Sequence, residues 1–526
     1  MGSALASSAA SLPPTTTPSL VSGAVASGAP AAASGVFSGY RPPPGTFDEY
    51  LGLGSAPRPE LAAACAAFGA MDAHRLDSLQ RRADGAFLAG GVTFSVYSDQ
   101  RGTEKVFPFD LLPRVITAAE WRHLERGLRQ RVVAINLFLN DIYGPQHILN
   151  DRTMPRALVW SSRGYHERLH GLRPPHGVYT HVSGIDLVRD GDGNFVVLED
   201  NVRCPSGVSY LLENRGALQR VLPGLFQQHR VRSVDAWPDR LRMTLDRTAP
   251  AGEAPGSTSR VSEPSRAVVL TPGPYNSAYF EHSFLARTMG IPLVQGTDLF
   301  VDDDRVWLRT TRGVSQVHTV YRRIDDDFLD PRWGRPDSLL GVPGIMQAWA
   351  RGNVTLANAP GTGVADDKAI YPWIPTIIRY YLDQEPILAQ VPTYVGYEPD
   401  QLDHMLDNLE SLVVKAVDEA GGYGMLFGPR STAAQRIEFA AALADNPRRY
   451  IAQPVVELST CPSWTGTTIA PRRVDLRPFI LHDGDEPWVL PGGLTRVALT
   501  DGSYVVNSSQ GGGSKDTWVL QEPRVS

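Results

Sequence analysis

The sequence predicts an α/β protein, and three stretches of the chain support this fold class. Residues 267–294 combine an apolar strand, a helical stretch and a second apolar strand, which is the pattern of a β-α-β unit. Residues 118–143 place apolar side chains at the spacing of a long amphipathic helix. Two strand-like runs within residues 184–198 flank the turn sequence DGDGN at 190–194, which predicts a β-hairpin. Helices and strands are therefore expected to mix along the chain.

The composition is that of an ordinary globular protein with several domains. The chain has 526 residues, of which 42% are hydrophobic and 20% are charged, and its formal net charge is −6. This small charge gives no electrostatic basis for binding nucleic acid or an anionic membrane, and no apolar run is long enough to span a bilayer. The three cysteines are far apart, so neither a disulfide framework nor a cysteine zinc site is expected. We therefore predict a cytoplasmic protein that binds neither nucleic acid nor membranes.

Two polar, low-complexity stretches divide the sequence. Residues 1–45 are rich in Ala, Ser, Thr, Pro and Gly, and they are predicted to be a disordered tail. Residues 248–265 have a similar composition and are predicted to be a linker. Ordered structure is expected over residues 46–247, 266–355 and 356–526, with the β-α-β unit in the second of these parts.

The carboxyl end of the predicted hairpin places oxygen ligands side by side. Side chains at positions i and i+2 of a strand lie on one face, so Glu199 and Asn201 point the same way, followed by Arg203. Folding of the hairpin brings Asp186 near Glu199. Carboxylate and amide oxygens suit Mg²⁺, which is usually bound by one or two carboxylates together with water and nucleotide phosphates. The alternative is a polar strand end before a Pro-Gly turn.

A second region contains cations suited to phosphate. Lys415 lies in the middle of an apolar strand at 412–417, where a lysine is costly unless it meets an anion. Lys368, which follows a turn at 361–363, is a second candidate. The alternatives are an exposed hairpin lysine for Lys415 and a solvated helix start for Lys368. After the Lys415 strand comes a loop whose backbone amides can bind phosphate, and its glycines are Gly421, Gly422 and Gly424.

Two further extended segments lie downstream. The first, at 450–457, is apolar and contains Gln453 and Val455, and its backbone could form a hinge against adenine. The second is a strand that places Asp475 and Arg477 on one face. Together with the Lys415 strand, these segments predict a nucleotide-binding region in the last third of the chain.

The loop of the β-α-β unit is a candidate substrate wall, because ligands of open α/β sheets bind at the carboxyl ends of strands. The pair Arg322 and Arg323 is a candidate carboxylate clamp, because arginine binds carboxylates through two parallel hydrogen bonds. The alternative for the loop is a helix N-cap with a packed first turn. For the arginines it is a salt bridge to Asp325, Asp326 or Asp327, which we favour. The loop candidates are Asn276, Tyr279, Glu281 and His282.

Taken together, these parts resemble an ATP-grasp ligase. In the usual members of that group the E-x-N motif comes last, whereas here Glu199 and Asn201 precede Lys415 by more than two hundred residues. This order resembles the circularly permuted ATP-grasp proteins of type 2, relatives of the ligase half of glutathionylspermidine synthetase. The similar stretches are FPFDLLPR (107–114), QRVVAINLFLNDIYG (130–144), GIDLVRD (184–190), LEDNVRCPSGVSY (198–210), TPGPYNSAYFEHSFLA (271–286), VYRRIDDDFLDP (320–331) and NAPGTGVADDKAIYPWIP (358–375).

The resemblance implies a circularly permuted ATP-grasp fold with a Rossmann-like pre-ATP-grasp domain. Residues 46–247 correspond to the part with the magnesium-binding strands, 266–355 to the pre-ATP-grasp domain and 356–526 to the nucleotide-binding part. ATP and Mg²⁺ (or Mn²⁺) are the implied cofactors. The implied activity joins a small-molecule or peptide carboxylate to an amine through an acyl phosphate. Some members carry an added helical domain at the carboxyl end, which predicts that a separate helical protein can serve as a partner here.

The resemblance also implies a set of metal and phosphate ligands. The residues that correspond to metal ligands are Asp186, Glu199 and Asn201. The residues that correspond to the phosphate lysines are Lys368 and Lys415. We expect these five residues and Arg477 to surround one cavity, with the loop at 272–282 on its rim.

The remaining roles concern the nucleotide and the reacting groups. Residues 421–424 correspond to the loop that closes over the phosphates, and Gln453 and Val455 lie where the family places its adenine hinge. Arg477 corresponds to an arginine that meets the γ-phosphate or the acyl phosphate. Arg203 either shares that task or only forms an ion pair with Asp200.

One motif points to a different class, a zinc hydrolase. The sequence HERLH at 166–170 matches the HExxH motif of zinc proteases, and His176 stands where metzincins carry a third ligand. The motif needs a sustained helix, but Gly164, Gly171 and the two prolines at 174–175 flank it. We therefore expect a surface turn. A third hypothesis is a non-catalytic nucleotide-binding or scaffold protein that keeps the ATP-grasp fold.

Overall fold

The computed structural model describes residues 35–95, 104–250, 266–418, 424–507 and 512–522, and both helices and sheets occur along these ranges. The α/β fold class is therefore confirmed. The α-helices are α1 Ala62–Gly69, α2 Ala73–Ala89, α3 Ala118–Ile142, α4 His147–Asn150, α5 Arg156–Trp160, α6 Val208–Val221, α7 Pro223–His229, α8 Trp237–Arg247, α9 Tyr279–Met289, α10 Asp326–Leu329, α11 Ile345–Ala350, α12 Gly363–Asp366, α13 Ile374–Leu382, α14 Pro399–Asp407 and α15 Ala433–Asp445.

The strands of the described residues form five sheets. They are β1 Thr93–Ser95, β2 Glu104–Val106, β3 Phe109–Ile116, β4 Val182–Arg189, β5 Phe195–Asn201, β6 Ala267–Leu270, β7 Leu293–Val294, β8 Leu299–Asp302, β9 Arg305–Thr310, β10 Gly313–Val317, β11 Thr319–Arg322, β12 Thr355–Ala357, β13 Tyr394–Val395, β14 Leu412–Ala416, β15 Met425–Phe427, β16 Tyr450–Pro454, β17 Thr460–Trp464, β18 Ile469–Leu481, β19 Trp488–Val497 and β20 Gly513–Val519. Two of the five are small: the pair β1-β2 and the antiparallel sheet β10-β9-β8.

The largest sheet combines strands from both ends of the chain. Its order is β3-β20-β19-β18-β4-β5, and β17 pairs with the first part of β18. The strands β3 and β20 are parallel, and the other neighbours along this order are antiparallel. Residues 109–201 and 469–519 therefore contribute to one sheet, as a permuted strand order requires.

The long helix α3 covers one face of this sheet. It begins with a capping box, in which the Thr117 side chain accepts from the Glu120 amide and the Glu120 side chain accepts from the Thr117 amide. Leu128 of α3 is fully buried in one cluster with Ile185 of β4. Because side chains alternate along a strand, Asp186 points to the opposite face. The predicted helix over 118–143 is confirmed.

The predicted β-α-β unit forms part of a parallel sheet. The order of this sheet is β12-β11-β6-β7, and all of its pairs are parallel. Helix α9 connects β6 to β7. Every residue of β6, β11 and β12 is buried, as expected for a sheet covered on both faces. The loops after β11 and β12 lead to Asp325 and to the turn around Gly361, which lie near the candidate site described below.

A small antiparallel sheet carries the predicted phosphate lysine. Its order is β13-β16-β14-β15. Met405 of α14 and Leu443 of α15 pack in one cluster with Leu412 and Val414 of β14. Alternation along β14 therefore turns Lys415 to the face away from these helices.

The boundaries of packed structure differ from the sequence prediction. Gly35–Phe37 forms a short 3-10 helix, and Phe37 and Tyr40 are buried in the core. Thr248, the first residue of the predicted linker, is also buried and ends α8. Packed structure therefore begins before the predicted residue 46 and continues slightly past 247. The rest of the predicted tail, residues 1–34, and of the linker, residues 251–265, lies outside the described residues. In the described part of the chain, no helix has the length and apolar character needed to cross a membrane.

Candidate active site

The β4–β5 hairpin positions the acidic side chains of the candidate site. Asp186 lies directly opposite Glu199 in the antiparallel register, so these two side chains and that of Asn201 share one face. On the other face, the Asp200 carboxylate accepts two hydrogen bonds from the Arg131 guanidinium of α3, at 2.6 and 2.7 Å. This bidentate ion pair fixes the end of the hairpin on α3. The predicted hairpin and the proximity of Asp186 to Glu199 are both present.

Two arginines enclose the Asp186 carboxylate. Arg477 of β18 binds both of its oxygens, one of them at 2.7 Å, and Arg496 of β19 donates to it at 2.6 Å. Arg496 also binds Asp475 at 2.9 Å. Burial raises the pKa of Asp186, but Arg477 and Arg496 outweigh burial and hold the pKa well below its usual range. Asp186 is therefore a buried anion that already has two cations, and its role as a metal ligand stays a prediction.

Lys415 extends from β14 toward the hairpin. Its Nζ donates to Gln453 Oε1 at 2.7 Å, and Gln453 Nε2 donates to Thr393 Oγ1 at 2.9 Å. Burial lowers the pKa of Lys415 to about 8, while Glu199 opposes this shift and Lys368 adds to it. A bound phosphate would favour the charged form of this lysine. The Gln453 side chain orients Lys415, and the predicted contact of Gln453 and the half-buried Val455 with adenine stays a prediction.

A cavity of about 580 Å³ opens beside the hairpin. Glu199, Asn201 and Lys368 line it, and an adjoining crevice shares Glu199 and Lys368 and reaches Lys415. The Glu199 carboxylate lies 3.8 Å from Lys368 Nζ and 3.8 Å from an Arg477 nitrogen. Groups that lie far apart in the sequence therefore converge on Glu199. Other charged residues that line the cavity are Arg163, His166, Asp200, Arg203, Asp325, Asp326, Asp327, Asp366, Asp367, Asp418, Arg448 and Arg449.

The expected arrangement is wrong in two respects. Asp186 and Arg477 are not among the residues that line the cavity or the crevice, and they form a bidentate ion pair with each other. The loop at 272–282 is not on the rim of the cavity. The residues of this loop that begin α9 instead face the start of α6, as the contacts of Glu281 show.

Glu281 and His282 are part of the packed interior. The Glu281 carboxylate accepts hydrogen bonds from the Gly207 amide at 2.7 Å and from Arg323 at 3.2 Å. It thereby caps the N-terminus of α6. His282 Nδ1 lies 2.9 Å from the Thr271 hydroxyl, and burial lowers the pKa of this histidine well below its usual value. Their predicted contact with substrate stays a prediction.

The other substrate candidates also have local partners. The Asn276 side chain accepts from the Ala278 amide at 2.9 Å, and Tyr279 begins α9, so both belong to the turn into that helix. Arg322 is fully buried, donates to backbone carbonyls and pairs with Asp326 at 2.7 Å. The salt bridge that we favoured for the arginine pair is therefore present at Arg322.

A comparison with protein families covers most of the chain. Residues 113–498 match the family model described as circularly permuted ATP-grasp type 2. The chain belongs to this family. An uncharacterized protein of Synechocystis sp. is 52% identical over 479 residues, which are 91% of this chain and 98% of that protein. An uncharacterized protein of Mycobacterium tuberculosis is 53% identical over 452 residues, or 86% of this chain and 79% of that protein. The resemblance inferred from the sequence is confirmed.

A longer relative and a solved structure add to this picture. A Frankia alni protein whose name proposes a glutamate–cysteine ligase is 41% identical over 478 residues, which are 90% of this chain but 54% of that protein. A glutathione synthetase-like effector of Globodera pallida has a similar structure, with a TM-score of 0.56 and 11% identity, covering 86% of this chain and 98% of that one. At this identity the structural likeness shows the fold alone. The ATP-grasp fold is therefore confirmed, and members of this family generally bind ATP and Mg²⁺.

The side chains of this ATP-grasp chain fit a divalent cation at Glu199 and Asn201. Glu199 keeps 28% of its side chain exposed and faces the cavity. The Asn201 Nδ2 atom is buried and has no hydrogen-bond partner among the described residues. Because a half-turn of an amide exchanges its nitrogen and oxygen, this position can present an oxygen instead. One carboxylate and one amide oxygen leave room for water and phosphate, which is the coordination that Mg²⁺ prefers.

Arg203 also lines the cavity, but its partner differs from the predicted one. Its guanidinium lies 3.4 Å from Asp366 and 3.6 Å from Asp325. The predicted pair with Asp200 is wrong, because Asp200 faces α3 and binds Arg131. Arg203 is thus held at the cavity wall by two carboxylates.

Asp366 is a site residue that the sequence analysis missed. It lines the cavity and the crevice, and its Oδ1 accepts from the Val202 and Arg203 amides at 2.6 and 3.1 Å. Burial raises the pKa of Asp366 to about 6, although Arg203 opposes the shift. The signal was present, because Asp366 lies two positions before Lys368 in one of the family-like stretches. Asp366 joins α12 to the end of the hairpin and so fixes the position of Arg203.

The HExxH segment does not form a zinc-protease helix. Glu167–Leu169 is a three-residue 3-10 turn, and His170 has extended backbone angles. His166 Nε2 instead lies 3.2 Å from Asp326, and His176 adopts a left-handed conformation. The predicted turn is confirmed, and the zinc-hydrolase hypothesis loses the shared helix face that it requires.

The predicted glycine loop is only partly described. Gly421 and Gly422 lie outside the described residues, so their contact with phosphate stays a prediction. Gly424, where the described chain resumes, has a φ of +62°, a left-handed conformation that favours glycine.

Proposed function

We propose that this chain is an ATP- and Mg²⁺-dependent carboxylate–amine ligase that acts through an acyl phosphate. The observation that carries the proposal is the convergence of Asn201, Lys368 and Lys415 on Glu199 around one cavity and its crevice. Carboxylate and amide oxygens beside two lysines suit a nucleoside triphosphate bound with a divalent cation. Membership of the ATP-grasp family and the name of the Frankia alni relative support the same class of reaction.

In the proposed reaction the chain supplies binding and orientation, and no nucleophile. Lys368 and Lys415 would hold the phosphates of ATP from one side of the cleft. Glu199 and Asn201 would hold Mg²⁺, which would supply positive charge to offset the negative charge that develops during transfer. Arg477 binds Asp186 and lies 3.8 Å from Glu199, so this pair would keep the Glu199 side chain directed at the metal.

The cavity provides the space for the other substrates. Arg203, held by Asp366, projects into it and would orient the substrate carboxylate for attack on the γ-phosphate. The carboxylate oxygen forms a bond to phosphorus as ADP leaves, and this gives an acyl phosphate. The amine then attacks the acyl carbon, and inorganic phosphate leaves as the amide forms. A volume of about 580 Å³ is within the range of small-molecule sites and suits an amino acid or a short peptide.

The test is a screen for ADP release over pairs of carboxylates and amines in the presence of Mg²⁺. A positive pair must release ADP only when both substrates are present, and the amide product must be found by mass spectrometry. Glu199→Gln protein, purified in the same way, measures the background of contaminating ATPases. Nucleotide binding with no release of ADP for any pair would contradict the ligase proposal and favour the scaffold hypothesis.

A further inference from the structure

One loop contacts both sheets that border the Lys415 cleft. Tyr504, between β19 and β20, is half-buried, and its ring packs against that of Phe427 of β15 in a tilted arrangement, with the ring centroids 5.1 Å apart and the planes at 35°. Its hydroxyl donates to Glu457, which lies three residues beyond the end of β16. A single side chain on the large-sheet side therefore contacts a strand of the small sheet and the connection that leaves this sheet after β16.

Two arginines, one on each side of the cleft, contact the same loop. The guanidinium of Arg473, in β18 of the large sheet, lies 3.6 Å from the centre of the Tyr504 ring, and that of Arg430, after β15, lies 5.4 Å from it. Both distances are within the range of cation–π attraction. Both guanidiniums also donate to the Gly502 carbonyl, and Arg473 reaches Glu457 at 3.2 Å. The loop is thereby tied to both sheets.

The strand register places these contacts on the same face as Lys415. Lys415 lies opposite Met425, and Val413 lies opposite Phe427 on one side and Gln453 on the other. Residues directly opposite one another in a sheet share a face, as do residues two apart in one strand. Phe427 therefore lies on the same face of the small sheet as Lys415, at the next residue pair that shares this face. Tyr504 contacts Phe427 from the large-sheet side of the cleft.

We propose that Tyr504 is a clasp that holds the two sheets at their closed separation and thereby slows the release of nucleotide. The proposal rests on the proposed function, since the ligand is ATP with its phosphates at Lys415. Glu199 of the large sheet and Lys415 of the small sheet line the same crevice, so a nucleotide with its phosphates at Lys415 would lie between the two sheets and would leave more easily when they part. Parting them breaks the ring contact with Phe427 and the contact with Arg430, and it strains the hydrogen bond to Glu457 in the connection between the sheets. Tyr504 is a positioning residue on this proposal, because it acts through the sheets.

The experiment measures how fast a fluorescent, non-hydrolysable ATP analogue with Mg²⁺ dissociates when excess unlabelled ATP displaces it. Loss of the aromatic ring contact and of its cation–π partners predicts that Tyr504→Ala releases the analogue about tenfold faster or more. Tyr504→Phe, which keeps the ring and loses only the hydroxyl, should release it about two- to fivefold faster. In turnover the KM for ATP should rise more than kcat falls.

Tyr380 provides a matched control. Its hydroxyl also donates to a carboxylate, that of Asp151, at the surface and away from the cleft. Tyr380→Phe and Tyr380→Ala should leave the dissociation rate unchanged. A purely structural role for Tyr504 would lower the melting temperature of Tyr504→Phe without changing its dissociation rate, and that result would overturn the clasp.

The remaining outcomes separate the two proposals. If the wild-type protein binds the analogue and Tyr504→Ala releases it at the wild-type rate or more slowly, the clasp is wrong while the ligase proposal stands. If the wild-type protein does not bind the analogue with Mg²⁺, both proposals are overturned. Faster release from both Tyr504 variants, with unchanged release from both Tyr380 variants, supports the clasp.

Discussion

Two regions of the molecule contain charged residues of the same types in different surroundings. One region lies beside the parallel sheet, and the other is the β4–β5 hairpin. Glu281 and Arg323 lie 3.2 Å apart, their side chains are 0% and 3% exposed, and they also satisfy backbone groups. Glu199 is 28% exposed, and its ion pairs with Lys368 and Arg477 are long, at 3.8 Å each. A buried charge with a close ion-pair partner supports packing, whereas a partly exposed charge with loose partners is available to a ligand.

The difference follows from what each carboxylate faces. Glu281 faces the N-terminus of α6, where unpaired amides and the helix dipole both favour an anion. Its charge is therefore explained without any ligand. Glu199 faces a cavity that also contains Lys368, and its carboxylate lies 3.8 Å from the Lys368 ammonium. Packing alone therefore explains the charge of Glu281, whereas it does not explain the charge of Glu199.

The largest expected effect comes from Glu199→Gln. This change removes a negative charge from the proposed metal site and leaves the side-chain volume almost unchanged. Charge stabilisation by a metal contributes several kcal/mol, so ADP release with a productive substrate pair should fall by about three orders of magnitude. The matched control is Glu281→Gln, which should keep its turnover per folded molecule. Equal losses of turnover in the two variants would remove the distinction between the two regions.

Lys415→Ala should lower turnover by roughly two to three orders of magnitude and weaken ATP binding, because one preorganised cation is lost. Lys515 is the matched control, since it is fully buried and bonded to Asp110 at 2.6 Å and to two backbone carbonyls. Lys515→Met should lower the free energy of unfolding while the folded fraction keeps its ATP affinity. Wild-type ATP affinity in Lys415→Ala would contradict the assignment of this lysine to phosphate.

In the parallel-sheet region the main effect should be on stability. Glu281→Ala leaves the Arg323 guanidinium buried without its anion, so the free energy of unfolding should fall by roughly 3–5 kcal/mol. Urea titration measures this change. Removing Arg323 as well, in Glu281→Ala with Arg323→Met, should cost less than the sum of the two single changes, because no unpaired charge is then left. Additive effects would mean that the two residues do not form a functional pair.

Local sequence patterns were sufficient for the hairpin and for the Lys415 strand. Alternation and turn residues determine that Asp186 meets Glu199, and these features act over a few residues. They do not determine which distant partner each charge receives. Asp200 binds Arg131 from 69 positions away, and Asp186 binds Arg496 from 310 positions away. Tertiary packing selects such partners, so the sequence could not show that Asp186 is enclosed while Glu199 stays accessible.

The smallest expected effect is a pH dependence at Lys415. It sharpens the comparison because the hydrogen-bond partner of this lysine is the neutral side chain of Gln453. Burial lowers the pKa of this lysine to about 8 from an ordinary 10.5, so the free protein loses the charge as the pH rises above about 8. If only the charged form binds phosphate, the Kd for ATP should rise about tenfold between pH 7 and pH 9.

Unfolding cannot account for such a loss of affinity. Between about pH 8 and 10.5 the unfolded chain holds more protons at Lys415 than the folded chain, so this group makes the free energy of unfolding rise with pH. Lys415→Arg keeps its charge throughout this range and should show a flat Kd. A flat profile in the wild-type protein, measured by titration calorimetry from pH 7 to 9, would mean that the Lys415 charge does not meet the phosphates. In that case Lys415 would belong with the structural charges of the parallel sheet.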